Sequence, residues 1–234
     1  VLVHFLPNWT PVPGEENPFG YRQPFPAAFG YGAYGVHLFF IVSGFVILLT
    51  LERCQHLIEF WFRRFARLYP AYLVALLLTV AIGNTLGPAG YQSSVTDVLA
   101  GITLLTPLIQ GARHVDGVYW TLFVELRFYL LIGVLYWLTG RRLVLAWMMV
   151  VAAAMLLWVL GSVADMAQLR QASSGLLIAQ YLPHFTLGMA CYCRWQRRDG
   201  AALALGLMSI ASYAIAWSQA AVSAHVVHAV LLTL

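Results

Sequence analysis

The run Leu143–Ala164 contains no charged residue. As a helix it is long enough to cross the hydrocarbon core of a bilayer, which takes about 20 mostly apolar residues. Tyr31–Leu51, Leu68–Ile82, Val118–Thr139, Ser173–Cys193 and Ala201–Ser218 are further apolar runs, and another starts near Ser223; Leu68–Ile82 is short for a full crossing. Lipid offers no hydrogen-bond partners, so the backbone of such runs must satisfy itself within a helix or a closed barrel. No strand-like alternation is present, which leaves the helix. The expected fold class is therefore all-α, a polytopic transmembrane helical bundle of about seven to eight spans. Hydrophobic residues make up 61% of the 234 and charged ones 9%, against about a quarter charged in soluble domains. That excludes a soluble globular domain, a disordered chain and a disulfide-stapled miniprotein.

All 13 basic residues are Arg, and the net charge is +4. In a soluble protein this balance would suggest nucleic acid. Here the Arg residues punctuate apolar runs, so membrane orientation accounts for them and no nucleic-acid partner is expected. Arg53, Arg63, Arg64 and Arg67 read as one loop, Arg141 and Arg142 as a second, and Arg194, Arg197 and Arg198 as a third. The positive-inside rule puts all three on the cytoplasmic face of a plasma (inner) membrane. This parity requires that the shorter apolar run Val98–Gln110 does not cross, and a re-entrant segment is expected there. Pro7–Gly30, rich in Pro and Gly, becomes an outer loop able to cap or line an outward-facing site. Cys54, Cys191 and Cys193 are odd in number, and the last two point to different sides of one predicted helix, so neither a disulfide framework nor a metal site is expected. Residue 1 is Val and Ala201–Leu234 stops within a span. The chain is thus expected to be one membrane-embedded domain over residues 1–234, truncated at both ends.

Ionisable residues inside a span cost roughly 2.5–3.5 kcal/mol on insertion scales, and they face cavities or partners. Glu125 is the clearest case. On a helix it shares a face with Thr121 and Tyr129, whereas Arg127 lies about 200° away. Glu125 therefore needs another cation or a hydrogen-bond cage. It reads equally well as a structural tie between helices and as an active-site acid. Arg63, Arg64 and Arg67, interleaved with Phe60, Trp61, Phe62, Phe65 and Tyr69, form one expected cationic surface. From spacing alone, membrane anchoring is favoured over a phosphate clamp built on guanidinium forks. His4 ends the first apolar run, where an imidazole can act as a general base, although a lone His is more often a packing residue. His37 sits in an uncharged span with Ser43, and Gly35 and Gly44 there allow close backbone approach. Ser43 lacks the strand-turn-helix setting of a nucleophile elbow. His114, His184, His225 and His228 belong to no motif. Phosphate-loop, dinucleotide, zinc and kinase signatures are absent.

Three blocks taken together carry a resemblance: Gly35-Val36-His37-Leu38-Phe39-Phe40-Ile41-Val42-Ser43-Gly44-Phe45, then Phe62–Pro70 with Arg64-x-x-Arg67, then Trp120-Thr121-Leu122-Phe123-Val124-Glu125-Leu126-Arg127-Phe128-Tyr129. In order and spacing they resemble the acyltransferase 3 family of membrane O-acyltransferases, which modify bacterial surface polysaccharides, peptidoglycan and related acceptors. The resemblance covers residues 1 to about 195. It implies His4 as catalytic base and Glu125 as an acid needed for activity. It implies Arg64 and Arg67, assisted by Arg63, as the groups that meet the phosphates of acyl-CoA. Trp120, Thr121, Tyr129, His37 and Ser43 would line the site.

The expected reaction moves an acyl group, acetyl in the simplest case, from acyl-CoA to a hydroxyl of a carbohydrate or related acceptor at the outer face. Acyl-CoA is then a donor substrate, and no bound cofactor is expected. The alternative reading is a multi-span transporter with Glu125 as an ion or proton relay.

Overall fold

The computed structural model describes residues 34–86, 92–104, 106, 109, 115–116, 119–163, 166, 168–169, 173–174 and 177–233. His4 and the Pro7–Gly30 loop lie outside the described residues. Within them the chain forms seven α-helices: α1 Tyr34–Leu51, α2 Leu57–Leu86, α3 Val95–Ile102, α4 Trp120–Thr139, α5 Leu143–Val163, α6 Leu182–Trp195 and α7 Asp199–Thr233. A 3-10 turn, Gly140–Arg142, joins α4 to α5. No strand occurs among the described residues.

Four of these helices are long and apolar enough to cross a membrane, at Leu57–Leu86, Trp120–Thr139, Leu143–Val163 and Asp199–Trp217; Gly35–Leu51 is a shorter apolar helix. The expected seven to eight spans are more than the described residues contain, for two physical reasons. Ala201–Ser218 and the run starting near Ser223 are parts of the single helix α7, because Ser218-Gln219-Ala220-Ala221-Val222 between them holds no Gly, Pro or charge to stop it. The expected span Ser173–Cys193 becomes helical only from Leu182. Ile178 has a positive φ of 48°, which breaks a regular helix, and Pro183 sits in the first turn, where its missing N–H costs nothing.

The short run Leu68–Ile82 belongs to a 30-residue helix, about 45 Å long at 1.5 Å per residue. Arg63, Arg64 and Arg67 therefore lie on the early turns of a spanning helix, not in a loop. Among the described residues, the run Val98–Gln110 contributes to α3, eight residues long or about 12 Å, shorter than a crossing helix. A capping box starts it: Asp97 N donates to Ser94 Oγ at 3.1 Å and Ser94 N to Asp97 Oδ2 at 3.0 Å. The Tyr72 and Tyr69 hydroxyls of α2 donate to its last carbonyls, Gly101 O at 2.8 Å and Ile102 O at 2.9 Å.

The core is aromatic. Phe40, Phe60, Phe128, Trp147, Phe185 and Tyr192 are fully buried, and Phe128 stacks on Phe185 with centroids 3.9 Å apart. Apolar side chains such as Leu78, Ile82, Leu145, Met149, Leu156 and Leu207 are exposed on the outside, as a lipid-facing surface requires. The closest helix crossing joins α1 to α6. A Cβ on Gly44 would meet Phe185 O at 2.1 Å, and one on Gly188 would meet Ile41 O at 1.9 Å. Small residues let backbones approach in this way. Gly35, by contrast, faces nothing within 4 Å among the described residues, and of the two glycines it is Gly44 that lies at this crossing.

The α1–α2, α4–α5 and α6–α7 junctions meet at one end of the bundle. Arg198 Nη1 pairs with Glu52 Oε1 at 2.6 Å, and Tyr192 OH donates to Glu52 Oε2 at 2.7 Å. A cavity of about 780 Å³ there is lined by Glu52, Gly140, Leu143 and Arg198, and a neighbouring one of about 620 Å³ by Leu51, His56, Tyr136 and Gly140. The Arg-bearing junctions thus share one end, as the Arg pattern requires.

Candidate functional site

Midway along the bundle, α1 and α4 face each other with polar groups that lipid would not tolerate. Glu125 is 2% exposed. One of its carboxylate oxygens, Oε1, accepts hydrogen bonds from the Ser43 hydroxyl of α1 and from the Tyr129 hydroxyl, one turn further along α4. Ser43 Oγ and Tyr129 OH lie 3.4 Å apart. The other oxygen, Oε2, is buried with no hydrogen-bond partner. The cage that a buried acid requires is therefore two hydroxyls crowded onto one oxygen, and the second oxygen is left open to a proton or a polar group.

Arg64 enters from α2. It is 3% exposed, and its Nη2 donates to Val46 O at 2.7 Å and to the Thr50 hydroxyl. Thr50 Oγ1 itself donates to Val46 O at 2.8 Å. The guanidinium carbon lies 5.3 Å from the Tyr129 ring centroid and 6.0 Å from that of Phe60, within cation–π range. Trp61 Nε1 donates to Tyr129 O at 3.4 Å and so ties α2 to α4 at the same level.

The structure divides the expected single cationic surface of Arg63, Arg64 and Arg67. Around the helix Arg63 points about 100° and Arg67 about 60° away from Arg64, so Arg64 turns into the bundle while the other two stay exposed. The Arg63 side chain is 60% exposed and pairs with Glu59 at 2.7 Å. Arg67 is exposed.

Residues 1–233 match a family model described as an acyltransferase domain. The chain belongs to this acyltransferase family. Acyltransferase MdmB from Streptomyces mycarofaciens is 34% identical over 106 residues, covering 42% of this chain and 27% of that protein. Nodulation protein 10 from Rhizobium leguminosarum bv. viciae is 29% identical over 148 residues, covering 56% of this chain and 40% of that protein. The chain thus spans less than half the length of these curated relatives. No solved structure matches it significantly.

Set against the family's three blocks, Ser43 comes from the first, Arg64 from the second, and Glu125 and Tyr129 from the third, and these four converge. Trp120 lies at the start of α4, 5.4 Å from the Tyr181 ring and 6.4 Å from Phe40. Thr121, one turn before Glu125, is half-buried. His37 is also half-buried. It stacks on His184 of α6 with centroids 4.5 Å apart and planes at 13°.

His184 belongs to no sequence motif, yet it is 7% exposed, has an unpartnered Nδ1, and meets the Tyr213 ring edge-on at 4.9 Å. No local spacing could have revealed it, because its partner lies on another helix. Thr50 belongs to none of the three blocks either, but it sits seven residues after Ser43, on the same helix face. Among the described residues no group of three or more His, Cys, Asp or Glu could hold a metal ion, and Cys54, Cys191 and Cys193 are free thiols.

Proposed function

We propose that this protein is a membrane O-acyltransferase that moves an acyl group from acyl-CoA to a hydroxyl of a carbohydrate or related acceptor at the outer face of the plasma membrane. The observation that carries the reading is the convergence of the three family blocks on a buried carboxylate with one open oxygen. One matched relative is itself named an acyltransferase. Ion relay through Glu125, the transporter alternative, gains no support from the family match.

In this reading acyl-CoA is a substrate that docks at the Arg-rich end. Arg63 and Arg67, which face outward from α2, meet its phosphates. His4 takes the proton of the acceptor hydroxyl as general base. The new alkoxide attacks the thioester carbonyl, the carbon–sulfur bond breaks, and the CoA thiolate leaves and is protonated. Glu125 orients or stabilises the imidazolium, as a buried carboxylate does beside a catalytic His.

The test is acyl transfer by the protein in nanodiscs, with radiolabelled acetyl-CoA and a panel of oligosaccharide acceptors. Label is expected on a hydroxyl of at least one acceptor and is expected to vanish in Glu125→Gln. Acetyl-CoA that neither binds nor turns over would sink the reading.

A further inference from the structure

We infer that Arg64 is a positioning residue for Glu125, acting through the Tyr129 ring, and not a ligand of the donor's phosphates. The inference rests on the acyltransferase reading only for what Glu125 is positioned to do.

The geometry runs in three links. First, one arm of the guanidinium is committed to α1 and the group is buried. Nη2 donates both to Val46 O and to the Thr50 hydroxyl, and the unpartnered Nε is shut off from solution. A phosphate would have to pull the group off both acceptors and reach it inside the bundle. Arg63 and Arg67 are exposed on the same helix, so an anion arriving from solution meets them first. Second, the charge stands 5.3 Å from the Tyr129 ring centroid. A cation over an aromatic face draws on the ring's negative quadrupole and makes the phenol a stronger donor. Third, that phenol donates to Glu125 Oε1. A buried cation and a buried carboxylate also attract each other through the low dielectric between them. Arg64 therefore fixes the ring that fixes the acid, and it pins α2 to α1 at the same level.

The experiment uses the protein in nanodiscs with acetyl-CoA as probe, in wild type and in Arg64→Gln, Arg64→Lys, Tyr129→Phe and the Arg64→Gln/Tyr129→Phe double variant. Three quantities are read: acetyl-CoA affinity, turnover, and the infrared carboxyl band of Glu125, assigned by its loss in Glu125→Gln. Arg64→Gln is expected to keep acetyl-CoA affinity within about twofold while turnover falls roughly 10- to 100-fold, as for a misplaced catalytic group. The Glu125 band is expected to move. The double variant is expected to lose little more than Tyr129→Phe alone, because both changes break one chain of contacts.

A tenfold or larger loss of acetyl-CoA affinity with turnover kept, additive losses in the double variant, or an unmoved Glu125 band would each overturn the inference. Should Arg64→Gln fail to insert, Arg64→Lys keeps the charge without the fork. A displaced band in Arg64→Lys supports the inference, and an unmoved one overturns it. If wild type shows no turnover at all, the acyltransferase reading fails, and the infrared band still decides the role of Arg64.

Discussion

Two hydroxyls donate to the same oxygen of Glu125 and none to the other. In the proposed reading, the asymmetry leaves one carboxylate oxygen available to the reaction while the other ties α4 to α1. Tyr129→Phe removes one donor from a buried charged group, a bond of about 1.5–3 kcal/mol. It is expected to lower both turnover and thermal stability, whereas Glu125→Gln, with the same shape, is expected to abolish transfer and leave acetyl-CoA affinity unchanged. Parallel measurement of the two constants checks this. Arg67→Ala is expected to weaken acetyl-CoA binding by roughly 10- to 150-fold, from the same range for a charge-assisted bond; unchanged affinity would return Arg67 to membrane anchoring. His4→Gln keeps hydrogen bonding but accepts no proton at neutral pH. It is expected to cost about 10²- to 10⁴-fold in turnover at constant donor affinity, and a Gln variant retaining most activity would move the base elsewhere.

At the level of elements, the α1–α6 crossing sets the register of the site. Ser43 precedes Gly44, and Gly44 lies against the backbone of Phe185, so a shift of α6 would move the hydroxyl that holds Glu125. Gly188→Ala puts a methyl group where Ile41 O stands at 1.9 Å. Backbone cannot turn aside as a side chain can, so the cost is expected to reach at least the 1–3 kcal/mol typical of overpacking. A lowered unfolding midpoint in detergent and reduced turnover would report it. Gly35→Ala, which meets nothing within 4 Å among the described residues, is the matched control and is expected to change stability by less than about 0.5 kcal/mol. The Trp147 indole, donating to Thr186 Oγ1 at 3.0 Å, holds the other side of α6 against α5.

For the whole molecule, the three Arg-bearing junctions share one end, and α3, with eight residues, is shorter than a crossing helix. Single-cysteine variants Arg53→Cys, Arg141→Cys and Arg197→Cys, in a background without Cys54, Cys191 and Cys193, are expected to resist an impermeant thiol reagent in intact cells. All three are expected to react once the membrane is opened. Labelling of the Arg141→Cys protein alone in intact cells would mean that the chain between α2 and α4 crosses after all.

What the sequence determined by itself is what depends on neighbours along the chain. Apolar length and the absence of bulk water dictate helices. Arg-bearing breaks mark one end, and the three motif blocks fall on α1, α2 and α4. Even the face shared by Thr121, Glu125 and Tyr129 follows from helical periodicity. The tertiary structure decided everything that depends on which faces meet. It turned Arg64 inward to Val46 and Thr50 while Arg63 and Arg67, on the same helix, stayed outside. It supplied Ser43 as the partner of Glu125, 82 positions away. It stacked His37 on His184, and it made Gly188 rather than Gly35 the counterpart of Gly44. In lipid every helix face is apolar enough to be a surface, so hydrophobic pattern does not say which face packs inward. That choice is made by close backbone fit at glycine and by the few polar side chains that must find one another.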